Sequence, residues 1–167
     1  MKVVFYTAML PPMAEGWGTR QPLGFGYLAA YARRTGVNAD FRLALTEEEA
    51  LAEPMDILAI SSVTYNWRFA RSVAQKARQR HGATIVVGGP HVTALPDRME
   101  REFDIGVLGE GEQTFLDILR WKLAGEPAEA LREIDGLVFW LNGERETTLR
   151  RALIEPIDSI PFPYRDL

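Results

Sequence analysis

The sequence predicts an α/β fold: a flavodoxin-like (Rossmann-like), doubly wound sheet of five parallel strands, followed by a C-terminal β-hairpin extension. Three observations carry this expectation. Short β-branched and aromatic runs alternate with longer amphipathic stretches through residues 1–125, as repeated βα units do. The runs 57–60 and 85–87 are continuously apolar, which fits strands covered on both faces. Glycines follow the later strands directly, at Gly88-Gly89 and at Gly109 and Gly111, where the chain must turn from strand into helix.

The elements follow in order. Lys2–Thr7 reads as the first strand, and 22–35 as a helix with Pro22 at its first position and Gly36 ending it. A second strand is expected at 38–43, a short helix at 47–52 and a buried strand at 56–63. Residues 65–81 form a helix whose Phe69, Val73 and Ala77 recur every fourth position. Residues 84–87 are a strand, 93–102 a helix interrupted by Pro96, 105–108 the fifth strand, and Glu112–Leu123 a helix ended by Gly125. Beyond it, 126–133 is a linker or short helix. Leu137–Leu141 and 146–150 are strands around Asn142-Gly143, a strong turn signal. Three prolines in 156–163 give an extended tether. The domain organisation expected is therefore an α/β domain over 1–125 and a hairpin extension and linker over 126–167.

Composition excludes several classes of function. The 167 residues are 47% hydrophobic and 25% charged, with a net charge of −4. Sequence-independent binding of nucleic acid needs a basic surface, so no nucleic-acid partner is expected. No apolar run reaches the ~18 residues of a membrane span, and no signal-peptide pattern opens the chain, so no membrane partner and a cytoplasmic location are expected. Cysteine is absent, which removes disulfides, thiolate nucleophiles and Cys-ligated clusters from these residues. His81 and His91 are the only histidines, and no metal site is expected from them.

With strand order 2-1-3-4-5, ligands bind at the carboxyl ends of the strands near the switch point. The loops that matter are then 8–21, 62–66, 88–92 and 109–114. Gly88-Gly89-Pro90-His91 lets backbone come close to another group, or is simply a tight turn. Gly109-Glu110-Gly111-Glu112 opens a helix whose N–H groups can hold a polar ligand, or is an ordinary helix start; Glu110 and Glu112 would then point away or accept hydrogen bonds. Ser61, Ser62 and Thr64 place three hydroxyls at a strand end, for a pocket or for capping of the next helix by Thr64 or Asn66. Gly24, Gly26, Ala29 and Ala30 give 22–36 a face of small residues. Fourteen residues separate Thr7 from Pro22, so the glycines are not a dinucleotide loop, which sits directly after the first strand.

Taken together, these segments resemble the N-terminal B12-binding domain of the cobalamin-dependent radical-SAM family, which includes methyltransferases and anaerobic magnesium-protoporphyrin ester cyclases. The resemblance is carried by 22–36, 56–66, 83–97, 104–119, 134–143 and 158–167. It implies a base-off cobalamin whose corrin lies over the strand ends and whose nucleotide tail runs beside the sheet. Carried over by position, Ser61, Ser62 and Thr64 line the tail pocket. Gly88 and Gly89 pass close to the tail, with Pro90 and His91 following in the same loop. Gly109, Glu110 and Gly111 contact the nucleotide loop, Leu23 and Gly24 lie near the corrin edge, and Tyr65 stands beside the site. No catalytic residue and no metal ligand are assigned. The resemblance also implies a partner in cis, a radical-SAM domain beyond Leu167 that holds a 4Fe-4S cluster and S-adenosylmethionine, so that the chain alone is silent. One departure stands out: neither histidine lies in a D-x-H-x-x-G motif, so no histidine motif supplies a lower ligand to cobalt. Tyr65, Asn66 and Trp67, or Met9, Met13 and Trp17, are the candidates to cover that face. The alternative is a degenerate module that keeps the fold, binds no cobalamin and serves recognition or domain interaction.

Overall fold

The computed structural model describes residues 1–8 and 22–167. Met9, Met13 and Trp17 lie outside the described residues. The elements are β1 (Lys2–Thr7), α1 (Leu23–Arg34), β2 (Asp40–Ala44), α2 (Glu47–Ala50), β3 (Ile57–Ser61), α3 (Trp67–His81), β4 (Thr84–Gly88), α4 (Pro90–Ala94), β5 (Ile105–Val107), α5 (Glu112–Leu123), β6 (Leu137–Leu141) and β7 (Glu144–Thr147).

The sheet order is β2-β1-β3-β4-β5-β6-β7. The first five strands are parallel. β6 joins β5 antiparallel, pairing Ile105 with Phe139, and β7 pairs antiparallel with β6. The expected five-stranded sheet is therefore corrected to seven strands. The two strands placed in an extension instead continue the sheet past β5. The reason lies in their burial: Leu137, Val138 and Phe139 are fully buried, and an apolar strand of that kind completes the sheet rather than standing apart from it.

Side chains alternate across the sheet. Val3, Phe5, Ile57, Ala59, Val86, Ile105 and Val107 pack with Phe25 and Ala29 of α1 and with Phe115 and Leu119 of α5. Val4, Tyr6, Leu58, Ile60, Ile85 and Val87 pack with Trp67, Ala70, Val73, Ala74 and Ala77 of α3. α3 thus buries a face that starts at Trp67, and Phe69 sits half-buried at its edge. Phe5 anchors the first layer, stacked 4.8 Å from Phe25 and 5.6 Å from Phe41.

Two boundaries differ from expectation for local reasons. The helix expected at 93–102 is α4, Pro90–Ala94, followed by a separate 3₁₀ turn at Pro96–Arg98. Pro90 suits a first helical position. Pro96 forces Leu95 out of the helical region, to φ −132° and ψ 56°. The return strand begins at Glu144, because Asn142 (φ 50°) and Gly143 (φ 84°) complete the reversal in two residues.

Candidate functional site

A cleft of about 230 Å³ opens at the carboxyl ends of the parallel strands, between α1 and α5. Its floor is apolar: Ala59, Val86, Val107 and Phe115. Its walls are Pro22, Gly24, Phe25 and Leu28 on one side and Gly109, Gly111 and Glu112 on the other, with Ser61, Gly88 and Gly89 across the strand ends. The volume falls below the roughly 300–1,000 Å³ of a drug-sized pocket. It has room for a flat bicyclic ring, and anything larger must extend above the strand ends.

The glycines shape this space in different ways. A Cβ at Gly24 or Gly109 would meet nothing within 4 Å, and at Gly88 only the Val107 Cβ at 4.0 Å. A side chain would find open space at each of these positions, although at Gly109 the φ of +75° would strain it. Gly89 is another matter. Its φ is +106°, and a Cβ would lie 2.6 Å from the Ser62 carbonyl oxygen and 3.2 Å from its nitrogen. The close approach that needs Gly89 is therefore to the chain's own β3 loop. Enlarging Gly89 therefore strains the turn after β4 against the β3 loop, whatever it does to a ligand.

α5 begins at the rim of the cleft with Gly111 at its N-cap and no side-chain cap. Its first N–H groups are open to an acceptor. Glu110 faces away from the cleft and accepts from the Ile154 N–H at 3.0 Å. Gly109, at φ +75°, donates its N–H to Thr93 Oγ1 at 3.1 Å.

The loop after β3 is pinned by Asn66. Its Oδ1 accepts from the Ser62 hydroxyl at 2.7 Å and from the Val63 N–H at 2.8 Å, and its Nδ2 donates to the Ala8 carbonyl. It does not cap α3. Ser62 is buried in this arrangement, whereas the Ser61 hydroxyl has no hydrogen-bond partner among the described residues. Thr7, level with Ser61 across β1 and β3, likewise keeps a buried hydroxyl without a partner.

Thr64 and Tyr65 are exposed, and Tyr65 is 69% accessible. Trp67 is buried, 4.7 Å from the Phe103 ring, and its indole N–H donates to Glu100 at 2.7 Å. His91 packs 4.1 Å from the Trp67 ring, with Nδ1 3.0 Å from Thr64 Oγ1. Burial holds its pKa below the usual imidazole value, partly offset by the Glu100 carboxylate. His81 is bonded to the Leu51 carbonyl at 3.0 Å. Among the described residues, no group of three His, Cys, Asp or Glu side chains could hold a metal ion.

The structure thus brings Gly24, Ser61, Gly88, Gly89, Gly109 and Gly111 together around one cleft. Leu23, Ser62, Thr64, Tyr65, Pro90, His91 and Glu110 stand outside its lining. Phe25, Leu28, Val107 and Phe115 line it and were not singled out from sequence. Their signal is the ordinary apolar face of α1, α5 and β5, which does not distinguish a cleft wall from core.

The B12 binding domain family model matches residues 13–119. An uncharacterized methyltransferase of Pyrococcus horikoshii is 32% identical over 183 residues, covering 100% of this chain and 39% of its own length. The cobalamin-dependent radical SAM methyltransferase TokK of Streptomyces tokunonensis is 35% identical over 123 residues, 64% of this chain and 18% of its own length. Among solved structures, the cobalamin-dependent S-adenosylmethionine radical enzyme OxsB, with aqua-cobalamin and S-adenosylmethionine bound, aligns with a TM-score of 0.74. That alignment covers 97% of this chain and 24% of OxsB at 18% identity, a likeness of fold. The chain spans well under half the length of each of these proteins. A family match through most of the parallel sheet, on a fold that leaves its cleft at the strand ends, places this chain in the B12-binding domain family, among relatives that are cobalamin-dependent radical SAM enzymes.

Proposed function

We propose that this chain binds cobalamin base-off, with the nucleotide tail in the cleft and the corrin across the strand ends, as the cofactor module of a larger radical-SAM enzyme. One observation carries the reading. Gly24, Gly88 and Gly109 bring backbone to the cleft at points where the protein itself leaves the space of a side chain empty. A flat base fits the volume and the apolar floor. The Ser61 hydroxyl lines the cleft at the strand ends and is available for polar atoms of the tail, and the uncapped start of α5 suits its phosphate.

Bound cobalamin supplies a cobalt centre that can carry a methyl group or an electron. This chain's part is to hold it and to decide what reaches it. Glu110 is taken up by Ile154 and so does not oppose a phosphate at Gly111, whereas Glu112, expected to point away, lines the cleft, so the phosphate must meet the α5 N–H groups clear of its carboxylate. Asn66 fixes the turn that carries Tyr65. Of the three candidates after β3 for the lower face, Trp67 is committed to Glu100 and Asn66 to Ala8, Ser62 and Val63. Tyr65 is the one left to cover it. The 4Fe-4S cluster and S-adenosylmethionine belong to a radical-SAM domain in cis, since these residues contain no cysteine.

The test is titration of the purified chain with hydroxocobalamin, followed by removal of free cofactor. Retention of the red chromophore by the wild-type chain, and its loss in folded Gly24→Leu and Gly88→Leu variants, is the expected result. A wild-type chain that elutes colourless would overturn the reading in favour of a module that keeps the fold without the cofactor.

A further inference from the structure

Residues 151–164 grip both walls of the cleft from outside. On the α5 side, Arg151 donates to Asp117 at 2.7 Å and to Thr114 Oγ1 at 2.8 Å. The Ile154 N–H reaches Glu110, between the two glycines that line the cleft. On the α1 side, the Tyr164 N–H donates to the Gly26 carbonyl at 2.9 Å. The Arg33 guanidinium lies 3.8 Å over the Tyr164 ring, and Arg34 donates to the Ser159 carbonyl at 2.5 Å. Gly26 is shaped for this contact. A Cβ there would stand 2.8 Å from the Tyr164 carbonyl oxygen and 3.0 Å from the Pro163 Cβ. Its neighbours Phe25 and Leu28 line the cleft. One extended segment therefore ties the helix that forms one wall to the loop and helix that form the other.

We propose that this segment is a brace whose docking and the filling of the cleft favour each other. The cleft is a gap between two helices, and a ligand held in it must fix their separation. A segment already bonded to both walls lowers that ordering cost. By reciprocity, a ligand that fixes the separation strengthens the docking of the brace by the same factor. The Arg151–Asp117 pair is four-fifths to three-quarters shielded from solvent, with side chains 20% and 24% exposed, so salt screens it less than a surface pair. The nature of the ligand rests on the reading above, but the joining of the walls does not.

Gly26→Ala and Tyr164→Ala test it in the full chain. Alanine favours a helix over glycine by about 1 kcal/mol, so Gly26→Ala undocks the brace without weakening α1. Tyr164→Ala removes the ring beneath Arg33 and adds nothing to the helix. Without ligand, both variants are expected to speed hydrogen exchange at the Ile154 amide, on the far wall. Unchanged exchange there in both would overturn the brace. With hydroxocobalamin, exchange at Ile154 and Tyr164 should slow in the wild-type chain, and both variants should bind at least about fivefold more weakly, the lower end of ordinary coupling. Equal affinity in all three chains would also overturn it. A wild-type chain that binds no cobalamin would sink the cofactor reading alone, and the brace would stand or fall on the ligand-free exchange.

Discussion

Gly88 and Gly89 are adjacent, yet they answer to different neighbours. Gly88 opens toward the cleft, while Gly89, at φ +106°, lies against the Ser62 backbone. Gly89→Ala is expected to cost at least about 2 kcal/mol, from a conformation open essentially to glycine and a contact that must give way. In a chain of this length that lowers the melting temperature by roughly 4–8 °C. Gly88→Ala should leave it nearly unchanged. Thermal unfolding of the two variants checks the contrast, and equal losses would refute it. The sequence marks both glycines but cannot apportion them, because the difference lies in what β3 places opposite. His91 teaches the same lesson. Its place after Gly-Gly-Pro reads as a loop residue, yet it is 7% exposed against Trp67. With its folded pKa depressed by burial, the unfolded chain takes up a proton at His91 before the folded chain does. Stability contributed by the neutral ring is then present above the unfolded pKa of about 6.5 and is lost as pH falls through the window below it. Urea unfolding at about pH 7.5 and about pH 5.5 should show a loss that His91→Gln removes; an identical loss in the variant would assign the effect elsewhere.

At the scale of elements, the boundaries that local chemistry sets are the ones the sequence shows. Lys2–Thr7, Glu112–Leu123 and Leu137–Leu141 fall where expected, each bounded by glycine, asparagine or a run of non-periodic residues. α4 does not, because Pro90 and Pro96, six residues apart, each open a helical turn, and Pro96 drives Leu95 out of the helical region and so ends the helix that Pro90 begins. Ties between elements leave no local trace at all. Thr114 is fully buried at the start of α5, accepting from Arg151 at 2.8 Å and donating to the Asp135 carbonyl at 3.2 Å. Nothing in the spacing of residues 114, 135 and 151 announces this. Thr114→Val keeps the shape and removes the hydroxyl, leaving Arg151 Nε and the Asp135 carbonyl with only their own 3.2 Å bond. The expected cost is about 0.5–1.5 kcal/mol, read as a lower midpoint in urea at unchanged slope. A midpoint equal to the wild type would mean that Arg151 is held well enough by Asp117 and Asp135.

For the whole molecule, the order 2-1-3-4-5 is legible because βα repeats with right-handed crossovers admit few alternatives, and the position of the cleft at the strand ends follows from it. The extra strands are less legible, since a turn signal at Asn142-Gly143 says that two strands pair with each other but not that Phe139 will pair with Ile105. The same global placement governs the cobalt. Both histidines are accounted for elsewhere: His81 on the Leu51 carbonyl, and His91 between Thr64 and Trp67, outside the cleft lining. The segment 9–21 contains no histidine. If the tail's base occupies the cleft, it too is withheld from the metal. Bound cob(II)alamin is therefore expected to lack a nitrogen lower ligand, from the protein or from its own base. Axial ligands set metal potentials, and withholding a strong donor along that axis favours the four-coordinate cob(I) state by lowering the filled orbital that such a donor would raise. Electron paramagnetic resonance of the cob(II) form decides the matter: each cobalt line should be free of nitrogen triplet splitting. Splitting that vanishes in His91→Ala would show that His91 leaves Trp67 to ligate the metal. Splitting that survives the change would show that the base stays on cobalt, and the cleft would then have to hold some other part of the molecule.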